Sequence, residues 1–250
     1  MAQRKTEWAF PAELRPRHFD MRRYTERIPG TGASFELVPI PGGTFAMGCH
    51  YRIAVPSASV GLPEVKLGLL PGATGTQRLP RLVGAGRALE IMLSGDMVGA
   101  ESAKEAGLID ALVEEEDLSA AAVRYARARV ADGPRRVREM QMPPPDPGVF
   151  DAARERVARK AAGLVSPQRI VRAVELAAEG DFEAGCRAER DFFIECKASP
   201  QSRGLRHAFF AERAAGKVAG IGRDTPTRDL HSVAVLGAGT MGSGIAYACL

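Results

Sequence analysis

The sequence predicts a helix-rich α/β protein of more than one unit, and three observations carry that expectation. Apolar residues recur at helical spacing in GAGRALEIMLSGDMVG, where Ala88, Ile91 and Met92 fall on one face. Helical periodicity dominates again from Asp151 to Lys217. Near the C-terminus, the alternating Val and Leu of VAVLGAGTMGSGIA read as a β-strand running into a glycine-rich turn and then into helix formers. A chain of 250 residues, 45% hydrophobic and 26% charged, is long enough to bury a core and is compatible with one or two domains.

Taken in order, residues 1–48 are irregular and proline-containing, and they end in FELVPIPGGTFAMG, which alternates like a strand pair around a Pro-Gly turn. CHYRIAVPSASVGL follows as a buried strand and a turn. Ser102 with Glu105 fits a capping box, and Gly107 stands where a short helix would stop. Residues 117–131 form an Ala- and Arg-rich amphipathic helix closed by Gly133 and Pro134. MPPPDPGVF cannot continue a helix and reads as a linker or corner. The helical stretch after it is interrupted at Gly163, Gly180, Gly185 and the Ser199-Pro200 step, and GKVAGIGRDTPTRD separates it from the last apolar segment.

The net charge of +4 and pI near 9.0 come from scattered arginines such as Arg124, Arg127 and Arg129. An electrostatic footprint for nucleic acid needs clustering, so a nucleic-acid partner is not expected. Cys49, Cys186, Cys196 and Cys249 form no CxxC pair and have no histidine at metal-ligand spacing, which points to free thiols, a reducing compartment and no metal. The N-terminus has no apolar run of signal-peptide length. The terminal segment is apolar, but its glycines favour strand-turn-helix over a membrane span.

Two places carry chemistry. Gly237, Gly239 and Gly242 follow the G-x-G-x-x-G spacing that lets backbone approach a pyrophosphate at a helix N-terminus. A plain glycine-rich turn is the alternative. The acid that would bind the ribose is expected about 20 residues further on, past Leu250, so NAD and NADP are not distinguished. Glu64, in GLPEVKLGLLPGATGTQRLPRL, stands in an apolar context where desolvation raises a carboxyl pKa and suits it to proton transfer near neutral pH. Its alternative is a surface acid at a turn.

GLPEVKLGLLPGATGTQRLPRLVG, followed by ALEIMLSGDMVGAESAKEAGLID, resembles the crotonase, or enoyl-CoA hydratase/isomerase, superfamily. ECKASPQSRGLRHAFFAERAAGKV and the terminal VAVLGAGTMGSGIAYACL extend the resemblance to the multifunctional proteins of fatty-acid β-oxidation. In these a hydratase domain is fused through a helical linker to an NAD-dependent 3-hydroxyacyl-CoA dehydrogenase. The resemblance covers residues 49–250. It implies part of a crotonase-like (ββα spiral) domain over 49–142, a helical linker over 143–228, and the first strand-turn-helix of a Rossmann domain over 229–250. It also implies an acyl-CoA substrate, NAD held by Gly237, Gly239 and Gly242, a thiolase or hydratase subunit as partner, and a cytoplasmic location.

The resemblance assigns hydration to two glutamates. One matches Glu64, whereas the other falls on Thr44. A glycine whose N–H would hold the thioester oxygen falls on Pro41, which has no N–H. Gly72, in the Pro-Gly turn that the family keeps near the reacting atoms, is present. Residues 1–48 instead resemble the start of a formylglycine-generating, or sulfatase-modifying, domain through VPIPGGTFAMG. The expectation is a fragment of the bifunctional enzyme joined to a foreign start and catalytically poor. Two other readings stand beside it: a non-catalytic module whose 151–217 helices bind a β-oxidation partner, and a sulfatase-modifying protein.

Overall fold

The computed structural model describes residues 46–114, 118–215, 220, 225–226 and 231–249, with the backbone of 24–27 and 34–37. Tyr24–Arg27 (β1) pairs antiparallel with Ser34–Leu37 (β2). Of the stretch where the sequence predicts a strand pair, Phe35 pairs upstream and Ala46–Gly48 winds into a 3-10 turn, while 38–45 lie outside the described residues.

The chain comprises two compact units, Met1–Ala208 and Phe209–Leu250. In the first unit, Ile53–Ala54 (β3) pairs parallel with Ala111–Leu112 (β6), and Ser59–Val60 (β4) pairs antiparallel with Val98–Gly99 (β5). The helices of this unit are α1 (Gly75–Val83), α2 (Ala85–Ser94), α3 (Ala100–Glu105), α4 (Leu118–Ala128), α5 (Val149–Lys160), α6 (Val165–Ala178) and α7 (Phe182–Ala198), and α8 (Pro200–Ala215) begins in it. The core lies where α1, α2, α6 and α7 meet, with Leu70, Leu79, Ala88, Met92, Ile170, Val174 and Cys196 buried together. Ala88, Ile91 and Met92 are buried on α2, as their spacing predicts.

Two local expectations need correction. Ser102 is not a helix cap: α3 starts directly after β5, its cap is Gly99, and the Ser102 hydroxyl accepts from Arg87 Nη2 at 2.9 Å. Gly107 does end the turn, with φ of 83°. Gly163 and Gly180 interrupt helices with φ of 80° and 97°, but Gly185 lies inside α7. There it allows close approach: a Cβ at residue 185 would overlap the amide of Gln77, which is fully buried and donates to Ala173 O at 2.9 Å. Gly185→Ala is expected to destabilise the unit by about 1–3 kcal/mol through overpacking, despite alanine's better helix propensity. A drop in urea midpoint with unchanged m-value would show it; a rise would mean Gln77 moves aside freely.

The second unit contains Thr240–Ala248 (α9), so the expected turn-helix is present. Its expected strand is absent, because residues 231–238 pair with no described segment and a lone extended stretch has no ladder to stabilise it. Leu236 is 98% exposed and Tyr247 82% exposed, so this segment buries little of its apolar surface. No helix among the described residues is long and apolar enough to cross a membrane.

Candidate active site

Pro63–Leu67 forms a short 3-10 helix with proline at its start, and Gly68, at φ of 66°, ends it. Leu69 N–H donates to Glu64 O at 3.0 Å, and Ser202 Oγ of α8 donates to Leu67 O at 2.9 Å. Leu62 and Leu70 on either side of this turn are buried, and Glu64 is half-buried. Glu64 Oε2 is buried and has no hydrogen-bond partner among the described residues. Burial pushes the carboxyl above the ordinary glutamate range, opposed by a backbone hydrogen bond. A buried acceptor with no donor costs about 1–3 kcal/mol, so this oxygen suits a proton or a ligand's donor.

The shift has a stability consequence. A carboxyl whose folded pKa is raised holds its proton in the folded state at pH values where the unfolded chain has released it. Its contribution is thus fully present below the unfolded value and is lost as pH rises through the folded one. Relative to wild type, Glu64→Gln is expected to gain stability as pH rises from about 4.5 towards neutrality. Parallel urea titrations across that range test this, and a pH-independent difference between the two proteins would show that folding leaves Glu64 unshifted.

Gly72 lies in the turn between Pro71 and α1, where Gly75 N–H donates to Gly72 O at 3.1 Å. Ala73 and Thr74 both adopt left-handed backbone, with φ of 52° and 69°. Such residues cost about 1–3 kcal/mol each and persist where their surroundings hold them. Glu189 of α7 does so: Thr74 N–H donates to Oε1 at 2.7 Å, while Thr76 N–H and Oγ1 donate to Oε2 at 3.0 and 2.6 Å. The Phe193 ring, also on α7, would stand 3.4 Å from a Cβ placed on Gly72. Neither contact was foreseen from the sequence. The available signal was an acid on the α7 face that also carries Gly185, Phe193 and Cys196.

Upstream in sequence, Arg52 is buried. Its Nη2 stands 3.4 Å from Asp110 Oδ2, Nη1 donates to Cys49 O at 2.9 Å, and its backbone N–H donates to Asp110 Oδ2 at 2.6 Å. Burial lowers the Arg52 pKa and Asp110 opposes that shift. Arg135 pairs with the other Asp110 oxygen and stacks 5.0 Å above the Tyr51 ring. Thr44 and Pro41, where the resemblance expects a glutamate and an N–H, lie outside the described residues.

In the second unit, Gly237 has φ of 108°, and a Cβ on Gly242 would overlap Gly237 O. Gly239 caps α9, and nothing lies within 4 Å of where its Cβ would stand. A bare helix start with open space over its glycine fits a phosphate-holding turn. Among the described residues no group of three or more His, Cys, Asp or Glu side chains could hold a metal ion.

The enoyl-CoA hydratase/isomerase family model matches residues 38–142. The chain is also similar to β-oxidation multifunctional proteins. The peroxisomal bifunctional enzyme of Homo sapiens is 41% identical over 223 residues, covering 85% of this chain and 31% of the human protein. The peroxisomal fatty acid beta-oxidation multifunctional protein of Oryza sativa subsp. japonica is 37% identical over 227 residues, covering 87% of this chain and 31% of its own length. The chain thus spans about a third of the length of these relatives. A solved carnitinyl-CoA dehydratase from Mycobacterium avium is 23% identical over 67% of this chain and 55% of its own, with a TM-score of 0.44. The family match begins at Val38, upstream of Cys49, and so takes in Thr44 and part of the stretch that resembles a sulfatase-modifying start.

Proposed function

We propose that residues 46–112 and the helices packed on them form part of an acyl-CoA site in which Glu64 is the acid/base group. The observation that carries this is the half-buried Glu64 carboxyl with its unpartnered Oε2, at the place where the resemblance puts a catalytic glutamate. Protonated, it can deliver a proton to the α-carbon of an enoyl thioester; ionised, it can take one back. Gly72 supplies backbone beside the reacting atoms in this reading. The family's second carboxyl falls on Thr44, so water activation lacks its partner and the hydratase reaction is slow.

In this reading the helices after residue 142 connect the acyl-CoA site to a dinucleotide-binding start, with Gly237, Gly239 and Gly242 holding the pyrophosphate of NAD. When bound, that cofactor would accept hydride from a 3-hydroxyacyl thioester. The residues at hand do no more than hold its phosphates. The relatives' names place them in peroxisomes, and a peroxisomal matrix suits free thiols as well as the cytoplasm does. Assay of enoyl-CoA hydration by the full chain, with Glu64→Gln as the silencing variant, tests the acyl-CoA reading.

A further inference from the structure

Glu189 is only 4% exposed and lies on α7, beyond residue 142, where the hydratase-family match ends. Its two oxygens take three donors from the start of α1: Thr74 N–H, Thr76 N–H and Thr76 Oγ1. Negative charge is favoured at that position by the unpaired N–H groups of a helix start. Ala73 and Thr74, directly after Gly72, sit in a backbone region that side chains with a Cβ enter only when held there. Arg78 of α1 is the cation that acts on Glu189, and Cys186 of α7 is the neighbouring thiol, pushed up to about 11 by burial and then by Glu189 itself. Phe193, one turn further along α7, closes over Gly72.

We propose that Glu189 is a positioning residue for the acyl-CoA site: from outside the hydratase-family segment it straps the Ala73–Thr74 turn and thereby sets where the Gly72 backbone stands. This rests on the reading of Glu64 and Gly72 given above. The strap needs a carboxylate. Glutamine offers a single acceptor oxygen and turns an amide NH2 towards an N–H donor, so one of the backbone bonds must open. The site's shape then depends on α7 being docked.

The test compares the full-length wild type with Glu189→Gln, by amide hydrogen exchange and by kinetics on but-2-enoyl-CoA. Exchange at Thr74 and Thr76 is expected to quicken roughly tenfold or more while Ile170 to Val174 of α6 stay protected, because the opening is local. Turnover is expected to fall by about 10- to 100-fold with KM little changed, since a misplaced backbone group weakens the transition state more than substrate binding. Thr76→Val removes only the hydroxyl donor, and should give a smaller effect at the same residues if Glu189→Gln does not fold. Unchanged exchange at Thr74 and Thr76 overturns the proposal whatever the activity, and so does acceleration spread evenly over the unit. If wild type shows no turnover while Glu189→Gln opens the turn locally, the strap stands and the acyl-CoA reading is what fails.

Discussion

Glu64→Gln is expected to lower enoyl-CoA hydration by about 10²–10⁴-fold, the usual cost of losing a positioned acid/base group. The change keeps the side chain's size, so local packing should survive. It removes the exchangeable proton and the group whose pKa burial raises. The loss should appear in kcat and in kcat/KM alike, because the proton moves only in the transition state. On the proposed reading the second carboxyl is replaced by Thr44 and wild-type turnover is slow, so the measurement needs a sensitive readout such as loss of the conjugated enoyl chromophore. Equal turnover by the two proteins would remove Glu64 from the mechanism.

What the sequence disclosed about this site was local. An acid set among Leu62, Val65, Leu67 and Leu70 offered either a desolvated carboxyl or a surface acid at a turn, and the spacing of Ala88, Ile91 and Met92 pointed to one buried face of α2. Such features depend on neighbours within a turn or two. Long-range pairing was the hidden part: Phe35 finds its ladder partner upstream, and Gly185 answers to a glutamine more than a hundred residues away. Glu189 belongs to the same class, because an acid on an apolar helix face shows only that it must have a partner and not which turn supplies it. The terminal glycines show the converse. The local turn and helix form, while the strand before them, which needs a neighbouring strand, does not.

Asp110→Ala is expected to destabilise the first unit by about 3–5 kcal/mol, a large part of the 5–15 kcal/mol typical of a folded domain. The physical reason is the charge left behind: Arg52 is 7% exposed, and its guanidinium keeps only carbonyl acceptors once the carboxylate is gone. Removing both charges should cost far less, since a well-packed apolar pair avoids the desolvation that the ion pair must offset. The comparison of Asp110→Ala with Arg52→Met/Asp110→Leu, by urea unfolding, separates a stranded charge from a lost contact. A single-variant loss within about 0.5 kcal/mol would mean that Leu108 O and Cys49 O satisfy Arg52 by themselves. The pair also reaches the site. Arg52 and Asp110 directly precede β3 and β6, so their bond fixes the register of that parallel pair, and the chain runs from β3 through one turn and β4 to Glu64. A slipped register would change the burial that raises the Glu64 pKa. Asp110→Ala should therefore shift the pH dependence of turnover as well as the unfolding midpoint, whereas a substitution that merely weakened the core would move the midpoint alone.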